Sequence, residues 1–242
     1  MTASRTGQPI AEVASNIALI SRETLTLVGH THVNEAMQRV SGAWISRGNG
    51  QEHLTALRSP VLTGAGACGA FLMAQDGIPL RSSGFCNVNE LFDANIEQAG
   101  RIEVIKGPAS VMYGSNAMHG MINVLTPPVR RERRISLEGG PHDYGRAKVF
   151  YSTDQWRVDF NGTSDGGWKD DSGFDQQKIT AKHKGRLGQW HASTVVGRRQ
   201  PAIRKRQAMY WVSGPTKTMR YARAIPIPKR IATSGRHGST LA

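Results

Sequence analysis

The spacing of apolar and polar positions changes along this chain, and each change marks an element. Val33, Ala36, Met37 and Val40 fall at i, i+3, i+4 and i+7, which predicts a short amphipathic helix ended by Gly42. A helical pattern also begins at Ser21-Arg22-Glu23, with Leu25 and Val28 directed at a core, after a weakly specified segment 1–20. Trp44–Arg47 and Leu54–Arg58 read as short strands separated by Gly48-Asn49-Gly50. Phe71–Ala74 and Ile78–Leu80 flank Asp76-Gly77, a strong hairpin-turn signal. Asn87 or Asn89 is placed to cap a helix from Glu90 to about Gln98, with Leu91, Ala94 and Asn95 on one face. Ile102 and Val104 alternate with Glu103 in a strand Arg101–Ile105, and Gly107-Pro108 stops it because proline has no N–H for a ladder. Ser110 is placed to cap a turn Val111–Tyr113, which Gly114 lets end. Met121, Ile122, Val124 and Leu125 then form an apolar run closed by Pro127-Pro128.

Beyond Pro128 the period becomes two. Residues 135–138, 147–151, 156–161 and 190–196 alternate, and 178–182 do so more weakly. Trp156, Val158 and Phe160 interleave with Arg157, Asp159 and Asn161, giving one apolar and one polar face. A strand between lipid and a polar lumen requires that division, and an antiparallel sheet of a soluble protein shares it. Alternation fails after 197, so residues 198–242 are expected to be an irregular basic tail foreign to the sheet before it.

The run RIEVIKGPASVMYGSNAMHGMINVLT, residues 101–126, resembles the end of the plug domain of TonB-dependent outer-membrane receptors. Arg101, Glu103, Gly107, Pro108, Ser110, Tyr113, Gly114, Ala117, Gly120, Ile122, Asn123 and Thr126 match the family pattern R-I-E-V-h-[RK]-G-P-x-S-x-x-Y-G-x-x-A-x-x-G-x-I-N-h-h-T, with h hydrophobic. Arg58-Ser59 and Asp76-Gly77-Ile78-Pro79 fit two further places. Ser41 departs from a usual proline and Lys106 from a commoner arginine. The resemblance covers about 21–127 and continues more weakly to about 197. It implies an α+β fold: a plug domain with a small mixed β-sheet and short helices, then a few antiparallel strands of an incomplete transmembrane β-barrel, then the irregular basic tail. The implied domains are a flexible segment 1–20, a plug 21–128, first barrel strands 129–197 and the tail 198–242.

The same resemblance implies a place in the cell outer membrane and uptake of a scarce chelate such as an iron-siderophore, haem or cobalamin. It implies TonB, outer-membrane lipid and the small chelate as partners. It also implies that plug cations pair with barrel-wall carboxylates, which singles out Arg58, Arg101, Glu103 and Lys106, with the completing wall residues expected mostly beyond residue 242. Glu23–Leu27 superficially matches a TonB box, but the adjoining helix patterns favour helix there.

Composition adjusts this picture. The formal charge is +13, yet residues 1–175 hold 16 Lys+Arg against all 18 acids, while 176–242 hold 15 Lys+Arg and no acid. The basicity is therefore local, and nucleic-acid binding is not expected, although a basic arm at 176–242 and a soluble plug-like binding module stand as alternatives. The first twenty residues show no basic region followed by a sustained apolar core, so no export leader is expected in them. Barrels of this kind use about 22 strands of about ten residues. With 114 residues after Pro128 (242 − 128), the expectation is a truncated receptor that does not transport by itself.

Cys68 and Cys86 bracket the Asp-Gly hairpin, and a disulfide there would be worth about 3 kcal/mol in the loop-entropy account. Gly64-Ala65-Gly66-Ala67-Cys68-Gly69 spells G-x-G-x-x-G, but a hairpin pattern follows where a dinucleotide site needs a helix. His30-x-His32 lacks a third ligand nearby, and Asp170-Asp171 lacks calcium-loop spacing. No catalytic, cofactor or metal residue is expected, and the chain is read as no enzyme.

Overall fold

A computed structural model describes residues 15–48, 50–59, 71–81, 89–168, 172–187, 190–201, 207–213 and 220–221. Cys68, Cys86, the Gly64–Gly69 loop, Asn87 and Asp170-Asp171 lie outside the described residues. The first strand, β1 (Ile17–Ser21), occupies the end of the segment expected to be mobile, because its five residues pair in register with a later strand. Ser21 closes β1 and opens helix α1 (Arg22–Val28): its hydroxyl accepts from Thr24 N–H at 3.2 Å, while Gly29 at φ 56° ends the helix. Leu25 is buried, so the Glu23–Leu27 stretch is spent on a packed helix. Helix α2 (Val33–Met37) is shorter than its pattern suggested, yet Val33, Ala36, Met37 and Val40 are all buried as that pattern requires.

Strands β2 (Ala43–Arg47) and β3 (His53–Leu57) form a two-stranded antiparallel unit. Strands β4 (Phe71–Gln75) and β5 (Ile78–Pro79) make the hairpin about Asp76 and Gly77, whose φ angles of 50° and 79° are the left-handed pair such a tight turn needs. The expected helix over 90–98 is instead two 3₁₀ turns, Glu90–Asp93 and Ile96–Gln98. Asn89 does not cap the first, because its side chain accepts from His53 N–H at 2.7 Å. Leu91, Ala94 and Asn95 are nevertheless all buried. Strand β6 (Arg101–Lys106) leads to one helical turn, α3 (Ser110–Tyr113), and strand β7 (Gly120–Leu125) follows. Ser110 is the first residue of that turn, and Ala109, not Ser110, holds the capping position.

The five strands β1-β6-β7-β4-β5 form one mixed sheet, antiparallel except for the parallel β4–β7 pair. Every residue of β7 is buried. One face of the sheet packs on α1, α2 and the 3₁₀ turns; the other carries Leu72, Ile105 and Met121 against Ala109, Ala117 and Tyr113.

Seven further strands form a separate antiparallel meander: β8 (Glu132–Gly140), β9 (Tyr144–Ser152), β10 (Trp156–Asp165), β11 (Phe174–Leu187), β12 (Trp190–Pro201), β13 (Gln207–Ser213) and β14 (Arg220–Tyr221). Pairing therefore runs past the point where a tail was expected. Strand β13 pairs with β12 in register from Gln207 opposite Arg199 to Ser213 opposite Ser193. Among the described residues no helix is long and apolar enough to cross a membrane, which leaves crossing by strands untouched.

Candidate functional site: the seam between the mixed sheet and the strand wall

Burial along β9, β10 and β11 runs opposite to that of a water-soluble sheet. Arg157, Asp159, Asn161 and Thr163 of β10 are buried, whereas Trp156, Val158 and Phe160 between them are exposed. Ile135, Val149, Phe160 and Ile179 lie in register across four strands and form an outward apolar row. The inward row beside it is Ser136, Lys148, Asn161 and Lys178. Polar groups are buried here because the mixed-sheet half lies against them and supplies partners.

Strand β11 shows how this works at the period of two that points alternate side chains to one face. Gln176 donates to Phe92 O at 3.5 Å, Lys178 to Ala94 O at 2.7 Å, and Asn95 Nδ2 donates to Thr180 Oγ1 at 3.3 Å. Lys182 donates to Thr126 Oγ1 at 2.8 Å and lies 3.5 Å from Asp76. Four consecutive inward side chains of one strand thus hold the 3₁₀ turns and the Asp76 hairpin. Gln98 adds a hydrogen bond from its Nε2 to Phe160 O. Lys178 also meets both carboxylate oxygens of Glu97 at 2.9 and 3.1 Å, with the two side chains 4% and 7% exposed. Burial pushes the Glu97 carboxyl up, but Lys178, His30 and Arg146 outweigh it and leave its pKa below the usual carboxylate value.

A second group of contacts holds α1. Arg22 meets both oxygens of Glu132 on β8 at 2.9 and 3.1 Å. Phe150 of β9 packs beneath the guanidinium groups of Arg22 and Arg157, 5.2 and 4.4 Å from its centroid. Arg157 in turn donates twice to Asp159 at 2.9 and 2.7 Å. Arg146 donates to His30 O at 2.6 Å, fixing the stretch between α1 and α2 to β9.

The residues marked by the sequence pattern fall mainly inside the mixed-sheet half. Asn123 Oδ1 accepts from Gly77 N–H at 2.9 Å, and Asp76 accepts from Thr126 N–H at 3.1 Å and from its hydroxyl at 2.5 Å. Asp76, Gly77, Asn123 and Thr126 therefore form one lock between a hairpin turn and the end of β7, joined from the wall by Lys182. A Cβ on Gly120 would lie 2.6 Å from Ile105 O and from Leu57 Cδ1, so only glycine fits there. Gly114 stands at φ 90° and ψ 177°, which other residues avoid. Gly107, at φ 142°, and Pro108 turn the chain out of β6, and Tyr113 packs on the small cluster beneath.

The charges picked out as latches make the following contacts among the described residues. Arg101 donates to Glu103 at 2.9 Å within β6. Lys106 reaches Ser41 O at 3.0 Å, and Arg58 lies exposed over Gly42 and Gly107. These contacts lie within the mixed-sheet half. Among the described residues one ion pair has the expected polarity, Arg22 with Glu132. Two others reverse it, with carboxylates Glu97 and Asp76 meeting lysines of the wall. Sequence reasoning missed Arg22, Glu97, Lys178 and Lys182; the only trace of the lysines was their spacing of four on a weakly alternating strand.

Comparison with known proteins accounts for this architecture. Residues 9–121 match the TonB-dependent Receptor Plug Domain family. The fold superposes on P. aeruginosa FpvA bound to heterologous pyoverdines with a TM-score of 0.66 at 17% identity, over 83% of this chain and 27% of that one. The siderophore receptor PiuA from Acinetobacter baumannii gives 0.62 at 18% identity, over 80% and 27%. The ferric yersiniabactin uptake receptor FyuA from Yersinia pestis gives 0.57 at 17%, over 81% and 32%. The chain thus spans about a third or less of the length of these structures. Residues 9–121 thus carry the match to the plug domain of TonB-dependent receptors, and the described part of that region lies against an antiparallel strand wall.

Proposed function

We propose that this chain forms the plug and the first wall strands of an outer-membrane receptor that imports a scarce chelate under the control of TonB. The inverted wall carries the reading: polar side chains are buried toward the plug while Ile135, Val149, Phe160 and Ile179 face outward. In water such a sheet would leave its apolar row wet, whereas in a bilayer that row lies in hydrocarbon. The similar structures named as a siderophore receptor and a ferric yersiniabactin uptake receptor support a metal chelate as the cargo class. TonB would engage the chain before β1, since Glu23–Leu27 is packed as helix.

The wall reading is tested by replacing Cys68 and Cys86 with serine and placing one cysteine at Val158 or at Asn161. A polarity-sensitive dye on each variant, reconstituted in phospholipid vesicles, reports the surroundings. The outward Val158→Cys label is expected to report hydrocarbon and the inward Asn161→Cys label a polar, protein-covered site. Equal aqueous signals from both would overturn the reading.

A further inference from the structure

His30 sits between α1 and α2 at the point where the plug meets the wall. Its side chain is 3% exposed, and neither ring nitrogen has a hydrogen-bond partner among the described residues. The ring borders a void lined by Thr31, His53, Phe92, Glu97 and Lys178, with room for about one water molecule. His53 Nε2 is likewise without a partner among the described residues, while its Nδ1 lies 3.1 Å from Gln51 O. The charges around His30 come from every packed element. Glu97 stands on the second 3₁₀ turn, Lys178 on β11, and Arg146 and Lys148 on β9, the latter two shared with Glu138 of β8. Asp93 and Glu52 act on His53, as does Lys178. Around His30 three cations face one carboxylate, and Lys178 already occupies that carboxylate.

We propose that this pocket makes the seating of the plug on the wall sensitive to acid, because a protonated His30 would add a fourth cation to a site with room for only about one water molecule to hydrate it. The proposal rests on the reading that β8–β11 are the wall. In the seated state burial holds the His30 imidazole down at about 4 against its ordinary 6.5, with Arg146, Lys178 and Lys148 adding to that and Glu97 opposing it. A group neutral in the seated state and protonated in the released one stabilises seating fully above pH 6.5, and that stabilisation is lost as pH falls toward about 4. Glu97 has the same sign but acts only below its ordinary value of 4.5. At pH 5 the effect is therefore that of the histidines.

The full chain in detergent micelles is followed by hydrogen exchange at pH 7.5 and 5.0, with rates corrected for intrinsic pH dependence. The open population of residues 89–100, which carry Glu97, is expected to rise about 30-fold on acidification, and the rise should shrink to about threefold or less in His30→Phe. Nitrogen-15 shifts of the His30 imidazole in the unaltered chain provide a second measurement, independent of that variant's folding, and are expected to show a neutral ring at pH 5. Strong protection at both pH values, equal acid sensitivity in His30→Phe, or a His30 that titrates near 6.5 would each overturn the inference alone. Absence of protection at 89–100 already at pH 7.5 would instead overturn the wall reading beneath it.

Discussion

Replacing Lys178 by methionine removes the ammonium from the most deeply buried ion pair between plug and wall. The side chain is 4% exposed and serves Glu97 twice and Ala94 O once, so methionine leaves these acceptors without their donor. The stranded carboxylate of Glu97 is expected to take up a proton, which at pH 7 costs about 3.4 kcal/mol from an ordinary value of 4.5. Ala94 O loses its donor at about 1 kcal/mol more. The sum of about 4 kcal/mol is an upper value, since Arg146 still acts on Glu97, and it falls in the range of 3–5 kcal/mol known for broken buried pairs. Two features separate this account from plain loss of packing. At pH 5 the proton costs only about 0.7 kcal/mol, so the deficit should fall to about 2 kcal/mol. Replacing the partner as well, as Lys178→Met with Glu97→Leu, should return stability to within about 1 kcal/mol of the starting chain, because two apolar groups need no partners. Urea unfolding of the chain in detergent micelles at both pH values measures all three quantities. A single-variant deficit under about 1 kcal/mol at pH 7, or a double variant no better than the single, would refute the reasoning.

Three other outcomes are expected. Gly120→Ala should cost about 1–3 kcal/mol in the same unfolding assay, near the upper end because the atom met at 2.6 Å is the backbone oxygen of Ile105. Phe160→Arg, on the outward row, should cost about 2–4 kcal/mol in phospholipid vesicles if the row lies near mid-bilayer, whereas at an ordinary wet surface the change would stay within about 0.5 kcal/mol. His32 caps α2 by accepting from Asn34 N–H on Nδ1 at 3.0 Å, and burial, Arg47 and His53 hold its pKa at about 4. A proton would abolish that cap, so the plug's melting temperature should fall as pH drops below 6.5 toward 4, and His32→Asn, which keeps a capping acceptor, should flatten the fall.

Much of the plug was legible because local chemistry admits few alternatives. Asp76-Gly77 specifies a left-handed turn, Gly107-Pro108 ends a strand, and Gly114 terminates a helical turn whatever surrounds it. Alternation in β10 identified both faces of the wall strands correctly. Where local preference was weak, the surroundings decided. Residues 17–20 became a strand because β6 offered them an edge, and 90–98 broke into two turns because Asn89 was drawn away to His53 and Ala94 O to Lys178.

The amino-acid order by itself determined where strands and turns fall, that the plug pattern is present, and that one face of each wall strand is apolar. Which of those faces is covered was decided only by the tertiary structure, since a period of two is the same whether water or lipid lies outside. The partners across the seam were likewise hidden. Glu97 and Lys178 stand 81 residues apart, and Asp76 and Lys182 106 apart. Charge pairing acts through space, so nothing in the sequence around either residue reports the other.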